Sequence, residues 1–394
     1  MVKVNPHFEN LEKNYLFVEI KNRSQKYLEE NPSADVIAMG IGDVTLPLSE
    51  TVVRAMHEAS DEMAKKDSFR GYGPHEGYEF LRKAISKKYE DYGVCVGADE
   101  IYVSDGAKSD TANLLDIFSA DSKVLIADPV YPVYRDASTI NGNKVEYLSA
   151  TEENGFLPEP SKGMVGDIIY ICSPNNPTGA VYSKSGLKQW VDFALENNSL
   201  IIFDAAYEAF IEDPNLPHSI FEIEGAKRCA IEACSFSKSA GFTGMRCAYL
   251  TIPKELNVQG ISVGNVWIKR QAIKFNGVSY VTQKAAEAAL SENGRKETLN
   301  AINYYKQNGR ILSETLNKLG IWNIGGENSP YIWFKCPKGM SSWDTFDFLL
   351  KNANIVTTPG SGFGKSGEGF MRLSSFASRE KVIEAAKRLE KLKF

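Results

Sequence analysis

Short apolar runs, each cut off by polar residues, alternate with helix-like stretches through the middle of the chain. This alternation restricts the fold more than any other feature. The runs are "EIYVSD", "KVLIADP", "DIIYICSP", "SLIIFDAAY" and "CAIEACSFS", and among them lie "KSDTANLLDIFS" and "SKSGLKQWVDFALENN", with apolar residues at helical spacing. Strands apolar on both faces belong in a sheet covered on both sides, and helices between them make that sheet mainly parallel. After residue 283 the pattern changes. "KAAEAALSENGRKETLNAINYYKQNGRILSETLNKLG" reads as strongly helical, "YIWFKCP", "IVTTPGSG" and "FMRLSSF" as strands, and "REKVIEAAKRLEKLK" as a last amphipathic helix. A chain of 394 residues also exceeds what one hydrophobic core usually holds. The expectation is therefore an α/β chain with a large domain over 46–282 and a smaller α+β domain over 283–394, residues 1–45 forming an arm and part of the small domain.

Hydrophobic residues make up 43% of the chain and charged residues 24%, so a sizeable core is readily buried. The net charge of −5 argues against a nucleic-acid or anionic-membrane partner. No stretch approaches the roughly 18 uninterrupted apolar residues of a membrane span. The opening "MVKVNPHFENLEKNYLF" carries acids and lacks the apolar run of a signal peptide. Cys95, Cys172, Cys229, Cys234, Cys247 and Cys336 are scattered without CxxC pairing, which reads as reduced, mostly buried thiols of a cytoplasmic protein. Four histidines and no HExxH leave no rich metal site, and His57 and His218 read as ordinary surface or loop residues.

In open α/β sheets ligands sit beyond the carboxyl ends of the strands, so the polar residues ending these strands should gather along one rim. A lone lysine is usually a solvated cation. Lys238, in "ACSFSKSAGFTGMR", has different company: hydroxyls on Ser235 and Ser237, glycines at 241 and 244 that permit close backbone approach, and the fixed cation of Arg246. Serines and an arginine suit a phosphate, and a lysine within reach of it can form a Schiff base with a carbonyl cofactor; pyridoxal phosphate has both groups. Asp204 at the end of "SLIIFD" would be the acid that keeps the pyridine nitrogen protonated, where otherwise it is a cap or turn former. Tyr207 is either a core aromatic or a donor to the ring's phenolic oxygen, and Asn176 in "SPNNPTG" either part of a plain turn or the second donor. The sequence leaves open whether the Asn176–Pro177 bond is cis. "SDGAKSD" is a strand end, a glycine and a helix start, where free N–H groups of Ala107 and Lys108 would face an anion. Tyr131 in "DPVYPVY" either stacks over the pyridine ring or packs an aromatic loop.

Asn176, Asp204, Lys238 and Arg246, in that order, with Arg372 in "GFMRLSS", resemble the signature of fold-type I pyridoxal-phosphate aminotransferases of classes I and II, across nearly the whole chain. "NPHFENLEKNYLFVEI", "MGIGDVTLPL", "FRGYGP", "VSDGAKSD", "CSPNNPTGA", "SFSKSAGFTG" and "TTPGSGFGKSGEGFMR" together resemble LL-diaminopimelate aminotransferases. The resemblance implies a homodimer with shared sites that interconverts LL-2,6-diaminopimelate plus 2-oxoglutarate with tetrahydrodipicolinate plus glutamate, in lysine biosynthesis. It implies that Lys238 holds the cofactor, Asp204 pairs with its nitrogen, and Asn176 and Tyr207 contact its phenolic oxygen. Ala107, Lys108, Ser235, Ser237 and Arg246 would surround the phosphate, with Tyr72 reaching the phosphate of the neighbouring subunit and Tyr131 stacked on the ring. Arg372 would grip the α-carboxylate, and Tyr15, Gly42, Lys108, Tyr131, Asn176 and Asn276 would line the substrate pocket.

One departure stands out. The family usually reads "GYGPEQG", with a glutamate that helps recognise the distal ammonium; this chain reads "GYGPHEG", placing His75 there and Glu76 next to it. Other amino donors, such as aspartate or an aromatic amino acid, and a carbon–sulfur lyase would use the same core, and a non-catalytic cofactor-binding regulator is disfavoured by the acidic charge. "GFGKSG" (362–367) matches G-x-G-x-x-G, but it leads into a strand rather than a helix, so it reads as a flexible turn beside Arg372 and not a nucleotide site.

Overall fold

The computed structural model describes residues 1–11 and 16–393. A seven-stranded sheet is formed by β1 (Ile101–Ser104), β2 (Lys123–Asp128), β3 (Lys144–Ser149), β4 (Ile168–Cys172), β5 (Leu200–Asp204), β6 (Ala230–Ser235) and β7 (Ala248–Thr251). Their order is β1-β7-β6-β5-β4-β2-β3. From β3 to β6 all neighbours are parallel, and β7 runs antiparallel to both β6 and β1. The fold is thus α/β with a mostly parallel sheet. The five described runs are strands; β3 and β7 are additions that the apolar pattern did not single out.

Period-two alternation explains the continuous apolar runs. In β5, Ile201 and Phe203 enter the cluster with Leu81, Ile85, Trp190 and Tyr249 on one face. Leu200 and Ile202 enter the cluster with Ile126, Tyr170 and Trp267 on the other. With both faces covered, no position of β5 is left for a polar residue until Asp204. The helix Lys184–Asn197 buries Leu187, Trp190, Val191 and Ala194. Ser183 caps its start by accepting from the Gly186 N–H at 3.1 Å, and Asn198, at φ +53°, turns the chain out of it.

A second, antiparallel sheet is formed by β8 (Asn323–Gly325), β9 (Tyr331–Lys335), β10 (Thr358–Pro359) and β11 (Phe370–Ser374), ordered β8-β9-β11-β10. Its core holds Leu312, Leu316, Ile332, Phe334, Phe346, Leu349 and Val382, joined by Ile37 and Met39 from the start of the chain. Ile37–Ala38 pairs in parallel with Ile355–Val356. Two stretches read as single elements are divided. The long helical stretch breaks at Ser291, extended at ψ 164°, whose hydroxyl caps the second helix at Gly294. "IVTTPGSG" is split between the pair with Ile37–Ala38 and β10. Four of the six cysteines are buried, and all six are free. Among the described residues no helix is long and apolar enough to cross a membrane.

A buried ion pair ties the helix Glu79–Glu90 to the turn after β5. Lys88 Nζ binds Glu208 Oε1, and the Tyr92 hydroxyl donates to Glu208 Oε2 at 2.8 Å. His218, read as a surface or loop residue, lies in a loop but is half-buried there and stacked on Tyr92 at 4.8 Å, with Nδ1 3.1 Å from the Glu208 carbonyl. Burial alone pushes the Glu208 carboxyl up, but Lys88 and the bonds from His218 and Tyr92 hold it at about 2. Its stabilising contribution is present above the ordinary carboxylate value and is lost as the pH falls from there toward 2. Lys88→Met leaves the buried Glu208 carboxylate without its lysine partner, a loss of about 3–5 kcal/mol. Thermal unfolding at pH 7 is expected to show a lower midpoint for this variant, and its acid transition should move to higher pH than that of the parent protein.

Candidate active site

The parallel strands run out in two directions from the β2–β4 boundary, so the chain leaves β2 and β4 at a switch point where a crevice opens. There a cavity of about 370 Å³ is lined by residues following four of these strands and β1. Ala107 and Lys108 come after β1, Tyr131 and Tyr134 after β2, Asn176 after β4, and Asp204 and Tyr207 from β5 and beyond. Ser235, Ser237, Lys238 and Arg246 come from the end of β6 and the loop to β7. The rim expected from the strand ends is one continuous wall.

Lys238 lies on the short helix Phe236–Ser239, and its Nζ donates to the Gly42 carbonyl. Burial pushes its ammonium down, Asp43 draws it partly back up, and Arg372 and Arg246 push it further down, to about 8. Asp204 is buried; it accepts from the Tyr134 hydroxyl at 2.5 Å and the Ala206 N–H at 2.9 Å. Burial pushes its carboxyl up, and these two hydrogen bonds hold it partly down. Among the described residues no cation pairs with it. The Tyr207 hydroxyl is 2.9 Å from that of Tyr331 and accepts from Asn176 Nδ2 at 3.4 Å. Lys108 Nζ lies 5.8 Å from the centre of the Tyr131 ring.

Arg372, on β11, is 1% exposed and approaches from the second sheet. It donates to Asn176 Oδ1 and to the Gly40 carbonyl, both at 2.7 Å, while its buried Nε has no hydrogen-bond partner. Its guanidinium lies 4.4 Å from the Tyr331 ring centre and 4.8 Å from that of Phe363. A buried guanidinium without a carboxylate is costly, and the geometry suits an incoming carboxylate.

The residues present fit pyridoxal phosphate. Asp204 is a buried carboxylate lacking a cation, which a protonated ring nitrogen supplies. The N–H groups that open the helix Ala107–Asn113 have no partner within it. Beside them Gly106, at φ +152°, lets the Arg246 guanidinium come close to the helix start: a Cβ there would stand 2.1 Å from Arg246 Nη2. Ala107 and Lys108, which open that helix, line the same cavity as Ser235, Ser237 and Arg246, a donor set that suits a phosphate.

Other expected residues lie outside this cavity. Tyr72 is 90% exposed and Asn276 is exposed. Their loops pack together, with His75 Nδ1 3.2 Å from the Phe275 carbonyl. Glu76 sits 3.7 Å from Arg82 in an ion pair. Tyr15 lies outside the described residues. Tyr134, Asp43, Thr243 and Cys172 line the cavity and Tyr331 adjoins it, yet none was assigned a role from sequence. Tyr134, three positions after Tyr131 in "DPVYPVY", carried the one readable hint, since a helix start brings both aromatics to one side.

The chain matches the family "Aminotransferase class I and II" over residues 34–389. It is 49% identical to an LL-diaminopimelate aminotransferase of Methanosphaera stadtmanae, covering 100% of both chains. It is 50% identical to one of Prochlorococcus marinus subsp. pastoris, covering 99% of each. The solved structure of the L,L-diaminopimelate aminotransferase from Chlamydomonas reinhardtii superposes with a TM-score of 0.94 at 41% identity, covering 99% of this chain and 98% of that one. Full-length identity of this order, on a fold whose rim carries Lys238, Asp204 and Arg246 in one cavity, shows that the chain belongs to the class I and II aminotransferases and, within them, to the LL-diaminopimelate aminotransferase family.

Proposed function

We propose that this aminotransferase interconverts LL-2,6-diaminopimelate and 2-oxoglutarate with tetrahydrodipicolinate and glutamate, in lysine biosynthesis. The observation that carries this reading is the half-identity over full length to two LL-diaminopimelate aminotransferases. When bound, pyridoxal phosphate supplies a carbonyl for the amino group and a ring that accepts the electron pair left at the substrate's Cα. Arg372 binds the α-carboxylate, which both the amino acid and the keto acid present. Lys238 Nζ takes the proton from Cα; burial between Arg372 and Arg246 keeps much of it neutral near pH 8, as a general base requires. Asp204, oriented by Tyr134, holds a proton on the ring nitrogen. Tyr207, held by Tyr331 and Asn176, offers its hydroxyl to the phenolic oxygen. Ser235, Ser237, Arg246, Ala107 and Lys108 hold the phosphate.

The same reading includes a cytoplasmic homodimer with shared sites. Phe69, Tyr72 and Ile273 are exposed, and the loops that carry Tyr72 and Asn276 are joined through the His75 bond, which suits them to serve a neighbouring subunit as one unit.

Three outcomes are expected. Capture of the cofactor's aldehyde by the cofactor-free protein needs neutral Lys238, so its rate should rise with pH and level off above about 8. Stopped-flow absorbance of the captured cofactor checks this; a rise that continues toward 10.5 contradicts the low value, and Lys238→Ala should show no such absorbance change. Asp204→Asn should keep cofactor bound while slowing single-turnover proton abstraction by roughly two orders of magnitude. With 2-oxoglutarate as acceptor, LL-diaminopimelate should react on the order of 10⁴-fold better than lysine, because a pocket with charged partners rejects a substrate that leaves them unpaired. A preference for aspartate or an aromatic donor in that panel would leave only the reaction class standing.

A further inference from the structure

The "GFGKSG" segment is a packed clasp. Gly360–Phe363 and Lys365–Gly367 form two 3₁₀ turns, and the carboxylate of Asp128, the last residue of β2, is held at the bend between them. The Ser366 N–H lies 3.3 Å and 3.2 Å from the two carboxylate oxygens, and Ser366 Oγ donates at 3.2 Å. Gly364 has φ +139°, and a Cβ there would stand 1.8 Å from Asp128 Oδ1, so only glycine lets the carboxylate in. Beside the clasp, the Val130 N–H donates to the Phe363 carbonyl at 3.0 Å. Asp128 is 8% exposed, so water competes little for these bonds.

The clasp joins two pieces of the site that belong to different sheets. Asp128 precedes Tyr131, which lines the cavity. Phe363 lies 4.8 Å from the Arg372 guanidinium and meets Trp333 of β9 edge-on at 6.2 Å. We propose that Asp128 is a positioning residue: by closing on the 364–366 turn it fixes Arg372 relative to Tyr131, and with it the reach from the cofactor ring to the α-carboxylate. This rests on the roles given above to Arg372 and Tyr131. The glycines at 362, 364 and 367, which imitate a nucleotide motif, follow from close packing: added Cβ atoms would meet Leu16, Asp128 and the Gly360 carbonyl.

The test measures KM and kcat for both substrates of the holoenzyme, with cofactor affinity by absorbance titration. Asp128→Asn should raise both KM values about tenfold, the scale of lost bonds to a buried carboxylate, with cofactor affinity unchanged and kcat moved far less. Ser366→Ala should shift KM the same way by less, and serves if the Asp128 variants do not fold. Gly364→Ala should resemble Asp128→Ala, and the double variant should be no worse than the worse single one, because both break one clasp. Unchanged KM in Asp128→Asn, a KM rise accompanied by loss of cofactor, or additive effects in the double variant each overturn the proposal. Arg372→Lys separates the two claims. If it leaves KM unchanged, the carboxylate reading fails; if it raises KM while Asp128→Asn and Ser366→Ala do not, the clasp alone fails.

Discussion

Two opposite charges, both buried and neither paired with the other, set the terms for the rest of this structure. Asp204 ends a strand of the large sheet and Arg372 stands on a strand of the small one. Left together, such groups would neutralise each other and the site would be inert. Each has neutral partners instead: Arg372 donates to Asn176 Oδ1 and the Gly40 carbonyl, and Asp204 accepts from the Tyr134 hydroxyl and the Ala206 N–H. Burying two uncompensated charges costs several kcal/mol each, and the fold sustains that cost only because its two cores are large and well covered. In the proposed function the ligands bring the missing partners, a ring cation for Asp204 and a carboxylate for Arg372.

The same logic orders the electrostatics around Lys238. Its low affinity for a proton comes first from burial and then from the two arginines, with Asp43 opposing them. In the function proposed here Arg246 serves the phosphate and Arg372 the carboxylate, and both also tune the base near them. Anions arriving at either arginine weaken that influence, so occupancy of the site and basicity of Lys238 are linked.

Much of this was legible in the sequence because strand ends in a parallel sheet must meet along one rim. Lys238, Asp204, Asn176, Ala107 and Tyr131 were found that way, Arg246 from its place near Lys238 in the chain, and they do share a cavity. Tyr134 and Tyr331 were not, for a physical reason. Each is a buried aromatic whose ring packs the core while only its hydroxyl enters the site, so apolar patterning classes it with the core. The Lys88–Glu208–His218 cluster was hidden because Lys88 lies 120 positions from Glu208 and only the tertiary fold removes the three from water. The glycines of "GFGKSG" were visible as a motif, but what they accommodate, Asp128, lies more than two hundred positions away.

The reversal at β7 has a consequence of its own. In a parallel continuation, the chain leaving β6 would cross the whole sheet before returning, and the next residues at the rim would come from a distant crossover. Because β7 runs back alongside β6, with Ser235 opposite Ala248 and the Phe236 N–H bonded to the Cys247 carbonyl at 3.1 Å, the chain leaves and re-enters the sheet through one doorway. The segment from Phe236 to Cys247 is thus a loop with both ends sewn into neighbouring strands. Lys238 near one end and Arg246 near the other are held like the two jaws of a fixed-span caliper, and the short sequence distance between them is a length set by the sheet.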